Sequence, residues 1–409
     1  MANALITPSV IAKEALMQLE NSLVLANSVH REYKKEFVKV GDTVSIRKPV
    51  KFYTADGATR VNQDVQEAND SITIDQRKHV SWGFSTQDLT LTIEDYSERY
   101  IKPAMITLAN TMDAAGYDLY KYVWNHVGTP GTTPNTYARV SPAAQRQTEM
   151  AVPTSERFLC LNPEAHYSIA GDQVGLQNQS MVSTAYKEAQ IGRIAGYNVM
   201  AAQNIRNHTV GAHGGTPLVA GATQGTTYAA SKSTNTQTIN TDGWTNSTAV
   251  LKAGDVITFA GVFAVNPVPG EGTTGKTVMP YLQEFTVTAD ATSDGSGAAT
   301  LTIAPAIITS GPYQTVSAEP ADNAAITVRG TASTAYPQNL ALHKNAFALV
   351  TCPLEMPDGA AFKARESHKG LSVRVVKDYD IDTDMDVIRI DALYGWKAIY
   401  PDLACRLTG

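Results

Sequence analysis

Eight residues from Gly270 to Thr277, "GEGTTGKT", satisfy the phosphate-loop spacing G-x-x-x-x-G-K-[ST], in which backbone N–H groups and a lysine cradle nucleotide phosphates. That chemistry needs a buried strand leading in and a helix leading out, so that the helix N-terminus faces the phosphates. Here Pro267 and Pro269 interrupt the lead-in, and proline cannot donate to a central ladder. The exit, "VMPYLQEFTVTAD", alternates Phe285 and Val287 with Thr286 and Thr288, which predicts a strand. The G-x-G-x-x-G within the same residues fails for the same reason. The context predicts a turn, not a nucleotide site.

A second candidate is "DYDIDTDMD", with Asp378, Asp380, Asp382, Asp384 and Asp386 at alternate positions. A helix–loop–helix calcium site needs glycine at its sixth position and a carboxylate at its twelfth. From Asp378 these are Thr383 and Arg389; from Asp380 they are Met385 and Asp391, so neither frame has both. Period two instead predicts five carboxylates on one face of an extended segment, with Tyr379, Ile381 and Met385 on the other. Such a row repels itself unless cations face it, and Arg365, Lys369, Arg374 and Lys377 lie close in sequence. His208 and His213 are five apart, not the four of a helical metal pair. There is no G-x-S-x-G. Cys160, Cys352 and Cys405 are widely spaced, without electropositive neighbours, and read as buried thiols in a reducing compartment. No catalytic, cofactor-binding or metal-ligating set emerges: the residues point away from an enzyme.

The elements that carry these residues follow from periodicity. Ile11, Ala15, Leu16, Leu19 and Leu23 recur at helical spacing over 7 to about 30, with Thr7 as cap and Pro8 in the first turn. "HREYKKEF" closes this segment. Val44, Ile46, Val50 and Phe52 alternate with polar residues, as do Ile72, Ile74, Val80, Trp82 and Phe84. Two long strands joined by the polar stretch from Thr54 to Asp70 are expected. A connection this polar has little to hold itself down and is expected to be held by something else. The longest helix is expected over about Ile93 to Asn125, with Thr92 and Asp95 at its start and Pro103 as a kink or a restart. Its stripe is Ile101, Met105, Leu108, Met112, Ala115, Leu119 and Val123; Tyr117, Tyr120, Tyr122 and Trp124 near its end read as core packing before a base-stacking platform.

Residues 130–212 alternate strand and helix signals, among them "RFLCLNP", "PEAHYSIAG" and the turn glycines Gly192 and Gly196. From about Gly211 to Val328 composition shifts to Thr, Ala, Gly, Ser and Asn, with three lysines against eight carboxylates. Short alternating runs punctuated by turn residues predict an all-β sandwich or barrel inserted as a separate domain. A chain of 409 residues suits two or three domains. Its net charge of −6 argues against a protein built to grip nucleic-acid backbone. No apolar run reaches the roughly 20 residues of a membrane span, and Lys13, Glu14 and Glu20 break any secretory leader.

Three stretches carry a family resemblance: "EDYSERYIKPAMITLAN" at 94–110, "GRIAGYNVMAAQNI" at 192–205 and "LSVRVVKDYDIDTDMDVIRIDALYGWKAIYPDLACRL" at 371–407. In their order along the whole chain, the segments resemble the major capsid (coat) protein of tailed bacteriophages. "AGDVITFAGVFAVNP" at 253–267 is similar to the branch with an immunoglobulin-like inserted domain. The resemblance implies an α+β tailed-phage capsid fold with an inserted all-β domain. Residues 1–40 would be the N-terminal arm, 41–90 the extended β-hairpin loop, and 91–128 the spine helix of the peripheral domain. Residues 129–212 would be the peripheral and axial α/β body, 213–336 the immunoglobulin-like insertion, and 337–409 the closing strands. It implies a non-enzymatic subunit, without cofactor, that assembles with itself as hexamers and pentamers of an icosahedral shell enclosing double-stranded DNA by non-specific contact. A scaffolding protein and a portal would be partners, with no membrane involved. The protein would be made and assembled in the host bacterial cytoplasm and reside in the virion. Inter-subunit contacts are then expected between Arg47, Lys48, Lys51, Arg60, Arg77 and Lys78 and the acidic row Asp378, Asp380, Asp382, Asp384 and Asp386. The competing reading is a phage tail or surface-adhesion protein whose β domain binds a ligand; it leaves the arm, loop and spine unexplained.

Overall fold

The computed structural model describes residues 8–31, 43–52, 54, 57–63, 65–85, 97–174, 189, 191–268, 276–360, 362–368 and 370–409. Thr7, Thr92, Asp95, most of "HREYKKEF", Lys369 and residues 270–275 of the glycine-rich segment lie outside them. The chain divides into two compact units.

The first unit comprises Met1–Ser45, Ser71–Tyr117 and Phe347–Lys397. Its helix Pro8–Ser22 buries Ile11, Ala12, Ala15, Leu16 and Leu19 against the helix Lys102–Tyr117 and the strands Phe362–His368 and Leu371–Asp380. The longer helix emerges from a π-turn, Ser97–Ile101. Pro103 sits at its second position, where the missing N–H interrupts the ladder and the geometry changes. Ile101, Met105, Leu108 and Met112 are buried as the stripe requires. Asp113, on the same helix, is also buried and accepts the backbone N–H groups of Val24, Leu25 and Ala26 at 2.6, 3.2 and 3.1 Å. Those N–H groups belong to a 3-10 turn that no helix ladder satisfies. Beside it, Gly116 lets Trp396 and Leu25 approach so closely that an added Cβ would lie 2.7 Å from the indole.

The sheet of this unit runs Phe347–Thr351, Met385–Ala398, Leu371–Asp380 and Phe362–His368, and Gln76–Ser85 also pairs with Met385–Ala398. The expected long strand over 72–84 is therefore two. Ala68–Thr73 pairs with Thr43–Lys48 as a two-stranded ribbon, whereas Gln76–Ser85 runs antiparallel to Met385–Tyr394. Alternation reports which face is buried, not which partner completes the ladder.

The second unit comprises Ile46–Asp70, Asp118–Ala346 and Ala398–Gly409. One six-stranded sheet has the order His126–Val127, Ala404–Leu407, Asn339–His343, Arg157–Leu161, Tyr197–Ala201, Arg193–Ile194. The helices Tyr137–Glu149 and Pro163–Val174 bury Val140, Ala143, Ala165 and Ile169 with the sheet residues Leu159, Leu161 and Tyr197. Tyr120 and Trp124 are buried and Tyr122 is exposed, so the aromatic cluster is mostly core.

The region rich in Thr and Gly forms a second six-stranded sheet: Ile326–Val328, Val256–Val265, Val278–Val287, Ala299–Ala304, Gln237–Trp244, Gly215–Val219. Its two edges meet through a bridge between Leu218 and Ala325 and reciprocal backbone bonds between Val219 and residues 323–324, which closes the sheet on itself. A continuous core of Val219, Ile239, Trp244, Phe259, Phe285 and Leu301 fills it. An immunoglobulin-like arrangement would keep two sheets face to face. Here one ladder passes through all six strands, and the barrel alternative describes it. Closure removes the exposed edges that short strands otherwise leave. Val278–Val287 is a strand, not a helix, after the glycine-rich segment.

Candidate functional site

The acidic row is not one extended face. Leu371–Asp380 and Met385–Ala398 pair with Asp380 opposite Met385, Tyr379 opposite Asp386 and Asp378 opposite Val387, so the chain reverses over residues 381–384. Asp384 takes a left-handed φ of 53°, a conformation aspartate tolerates better than most residues. The tip is stitched locally: Tyr379 donates its hydroxyl to Asp384 at 2.7 Å, and Asp380 accepts from the Thr383 hydroxyl and the Asp382 N–H at 2.7 and 3.1 Å. The Thr383 hydrogen bond, with help from the backbone, holds the Asp380 carboxyl below its usual range. Lys377 reaches Asp386 at 3.0 Å. Asp378, Asp380 and Asp382 make no ion pair among the described residues. Ile381, at the apex, is 82% exposed.

Of the six basic residues expected to meet this row, Arg47 pairs with Glu67 at 3.7 Å and Lys48 with Asp70 at 3.1 Å across the ribbon. The Lys51 N–H donates to the Tyr313 hydroxyl at 3.0 Å. Arg60 and Lys78 are exposed. Arg77 lies 3.8 Å from Asp391, a carboxylate the sequence pattern did not single out. Asp391 is fully enclosed and also receives Arg374 and Arg389 at 2.5 and 2.7 Å, so arginines from three adjacent strands converge on it. Burial alone would raise its carboxyl; the hydrogen bonds and charges of Arg374 and Arg389 outweigh it and hold the group below its usual value.

Two further polar clusters, both in the second unit, also escaped the sequence reading. Glu284 is buried on Val278–Val287 and accepts the His126 N–H at 2.7 Å, Arg329 at 2.9 Å and Arg146 at 3.3 Å. Burial pushes its carboxyl up while the two guanidinium groups pull it back. Burial and the neighbouring arginines push the His126 imidazole down to about 3, so it is neutral. Nearby, buried His208 bonds Tyr120 at 2.9 Å and Asp255 at 2.7 Å, and Asp255 also accepts the N–H groups of Gly211 and Lys252. Arg406, wholly buried, donates to the Gly254 carbonyl and the Thr286 hydroxyl. These clusters tie the barrel strands to the rest of their unit. A carboxylate inside a strand-like run, next to Phe285 in "QEFTV", is the signal that could have found Glu284.

Among the described residues no group of three or more His, Cys, Asp or Glu is placed to hold a metal ion. Burial raises the thiols of Cys352 and Cys405, the latter to about 12, which makes them poor nucleophiles. No described helix is long and apolar enough to cross a membrane.

What the described residues offer is charged surface and buried polar joints. A family model described as P22 coat protein, gene protein 5, matches residues 1–409. The chain belongs to the P22 coat protein family. A curated relative, the major capsid protein of Acyrthosiphon pisum secondary endosymbiont phage 1, is 25% identical over 420 residues, covering 98% of this chain and 97% of that protein. Among solved structures, a chain of Mycobacterium phage Che8 is 14% identical with a TM-score of 0.48, covering 94% of this chain and 90% of that one. The mature capsid of bacteriophage PhiM1 is 12% identical with a TM-score of 0.43, covering 91% and 84%. As a member of this family, the coat protein is a structural shell component of a phage, part of the virion and not an enzyme. It assembles with itself, and the tail or adhesion reading is not favoured.

Proposed function

We propose that this subunit builds an icosahedral head through opposed charged surfaces. The observation that carries the reading is the acidic hairpin apex, where Asp378, Asp380 and Asp382 lack ion pairs among the described residues. In a closed shell these carboxylates face basic side chains of adjacent copies. Lys51, Arg60 and Lys78 are suited to that role, with Arg47, Lys48 and Arg77 also paired within the chain. Asp384 and Asp386 shape the apex, through Tyr379 and Lys377. Residues 1–40 act as the arm, 41–90 as the extended loop, 91–128 as the spine, 129–212 as the peripheral and axial body and 337–409 as the closing strands. Residues 213–336 are an inserted all-β domain, and the closed six-stranded sheet with its own core supports this division. Hexamers and pentamers form the shell, with a scaffolding protein and a portal as assembly partners. Low net charge suits a lining that contains double-stranded DNA without gripping it.

The test is sedimentation velocity with negative-stain microscopy on the recombinant protein, alone and coexpressed with its genomic neighbours. Closed shells or ring-shaped capsomers are expected. A monomer or trimer under every condition would overturn the reading. For the inserted domain, residues 213–336 expressed alone should unfold in one cooperative transition; a gradual transition would overturn that division.

A further inference from the structure

Within the second unit lies a cleft of about 260 Å³ whose lining includes four lysines, Lys48, Lys51, Lys232 and Lys276, against a single carboxylate, Asp402. Lys48 is compensated by Asp70. Lys51, Lys232 and Lys276 make no ion pair among the described residues. Lys276 is 8% exposed and, among the described residues, donates its ammonium to the Gln314 carbonyl, at 3.0 Å. Burial and the Lys51 charge push the Lys276 ammonium down to about 7, as expected where burial and a neighbouring cation both disfavour the charged form. Apolar groups of Trp124 and Ile308 complete the wall. The cleft therefore asks for an occupant with an apolar tip between carboxylates.

The chain carries such an object. The acidic hairpin presents Ile381, 82% exposed, between Asp380 and Asp382. A cavity of ~150 Å³ holds a benzene-sized group, so the cleft has room for an isoleucine side chain. We propose that the hairpin apex of a second copy seats in this cleft, Ile381 entering it and Asp380 and Asp382 meeting Lys51, Lys232 and Lys276. Each subunit offers one apex and one cleft, so used head-to-tail the contact links copies into rings or larger arrays. It rests on the shell reading and specifies one contact within it.

The experiment uses the full-length chain with Lys232→Cys and Ile381→Cys together; the native thiols, Cys160, Cys352 and Cys405, are buried and do not compete. Assembled particles are oxidised and run on a denaturing, non-reducing gel. A ladder of linked subunits extending past dimer is expected, reversed by reductant and absent from either single variant. Independently, Lys51→Glu with Lys232→Glu should weaken assembly by about tenfold or more, and Asp380→Lys with Asp382→Lys in the same chain should restore it, because opposed charges set register. Shells from the wild-type chain, with no ladder and no effect of charge reversal, would overturn the cleft contact and leave the shell reading intact. Only an intrachain disulfide would overturn the second copy as occupant. No assembly of the wild-type chain would remove the shell reading itself, and this proposal with it. Protection of Lys276 from acetylation by free glutarate, without a ladder, would also overturn the proposal, marking the cleft as a small-carboxylate site.

Discussion

Replacing Asp391 by asparagine should destabilise the first unit by about 2–4 kcal/mol at neutral pH. The side chain has no exposure, and its two oxygens serve Arg374, Arg389 and Arg77. Removing one member of a buried ion pair costs roughly 3–5 kcal/mol because the partner's charge is left uncompensated. Arg77 and Arg389 keep 49% and 39% exposure and can rehydrate, so their share is discounted; Arg374 keeps 11% and cannot. Asparagine retains the size and one acceptor, which lowers the estimate further. The assay is urea unfolding of the unassembled chain followed by tryptophan fluorescence, with Trp82 and Trp396 on strands of this sheet. The sign with pH follows from the depressed carboxyl. Its contribution is complete above the unfolded value of about 3.9 and is lost as pH falls through the lower folded value. The gap between wild type and variant should hold from pH 7 to about 5 and close in stronger acid. Equal midpoints at pH 7, or a gap that widens in acid, would refute the reasoning.

Asp113→Ala should leave three N–H groups of the turn at 24–26 without their acceptor. At about 1–3 kcal/mol for each buried unmet group, partly relieved by water, hydrogen exchange should rise there first. Gly116→Ala should cost about 1–3 kcal/mol by overpacking, since the new methyl meets the Trp396 ring and Leu25; an unchanged melting temperature would contradict this. Glu284→Gln should strand Arg146 more than the half-exposed Arg329, lowering stability by about 2–4 kcal/mol, measurable by calorimetry.

Local order was legible and long-range partnership was not. The stripe from Ile101 to Met112 is buried as its spacing requires, and Pro103 marks the change of helix geometry. Gly192 and Gly196, read as turn residues, have φ of 68° and 87°. The hairpin reversal at 381–384 was hidden because "IDTD" lacks glycine, asparagine and proline; an aspartate supplies the left-handed residue instead. Period two therefore ran straight through a turn, and the predicted one-sided ladder followed from it. Asp391, Glu284 and Asp255 were invisible for another reason. A buried carboxylate is stabilised by arginines or backbone N–H groups that are distant in sequence, and alternation cannot report them. The family resemblance, by contrast, drew on the order of elements, which survives such local errors.

The pairing of Gln76–Ser85 with Met385–Tyr394 also fixes an order of events during synthesis. A strand made early waits for one made some three hundred residues later, and Asn339–His343 likewise waits for Ala404–Leu407. Pairings of such separation form slowly because loop closure precedes any gain. The six strands from Gly215 to Val328 close among themselves within one continuous stretch. They can fold on the ribosome while the five-stranded sheet and the other six-stranded sheet still lack their last strands. An unpaired edge is a template for the wrong partner, and in an infected cell the nearest strands of matching sequence belong to other nascent copies of the same chain. The interval between barrel closure and arrival of the last strands is when misassembly competes with folding, and a slower-translating message should lengthen it.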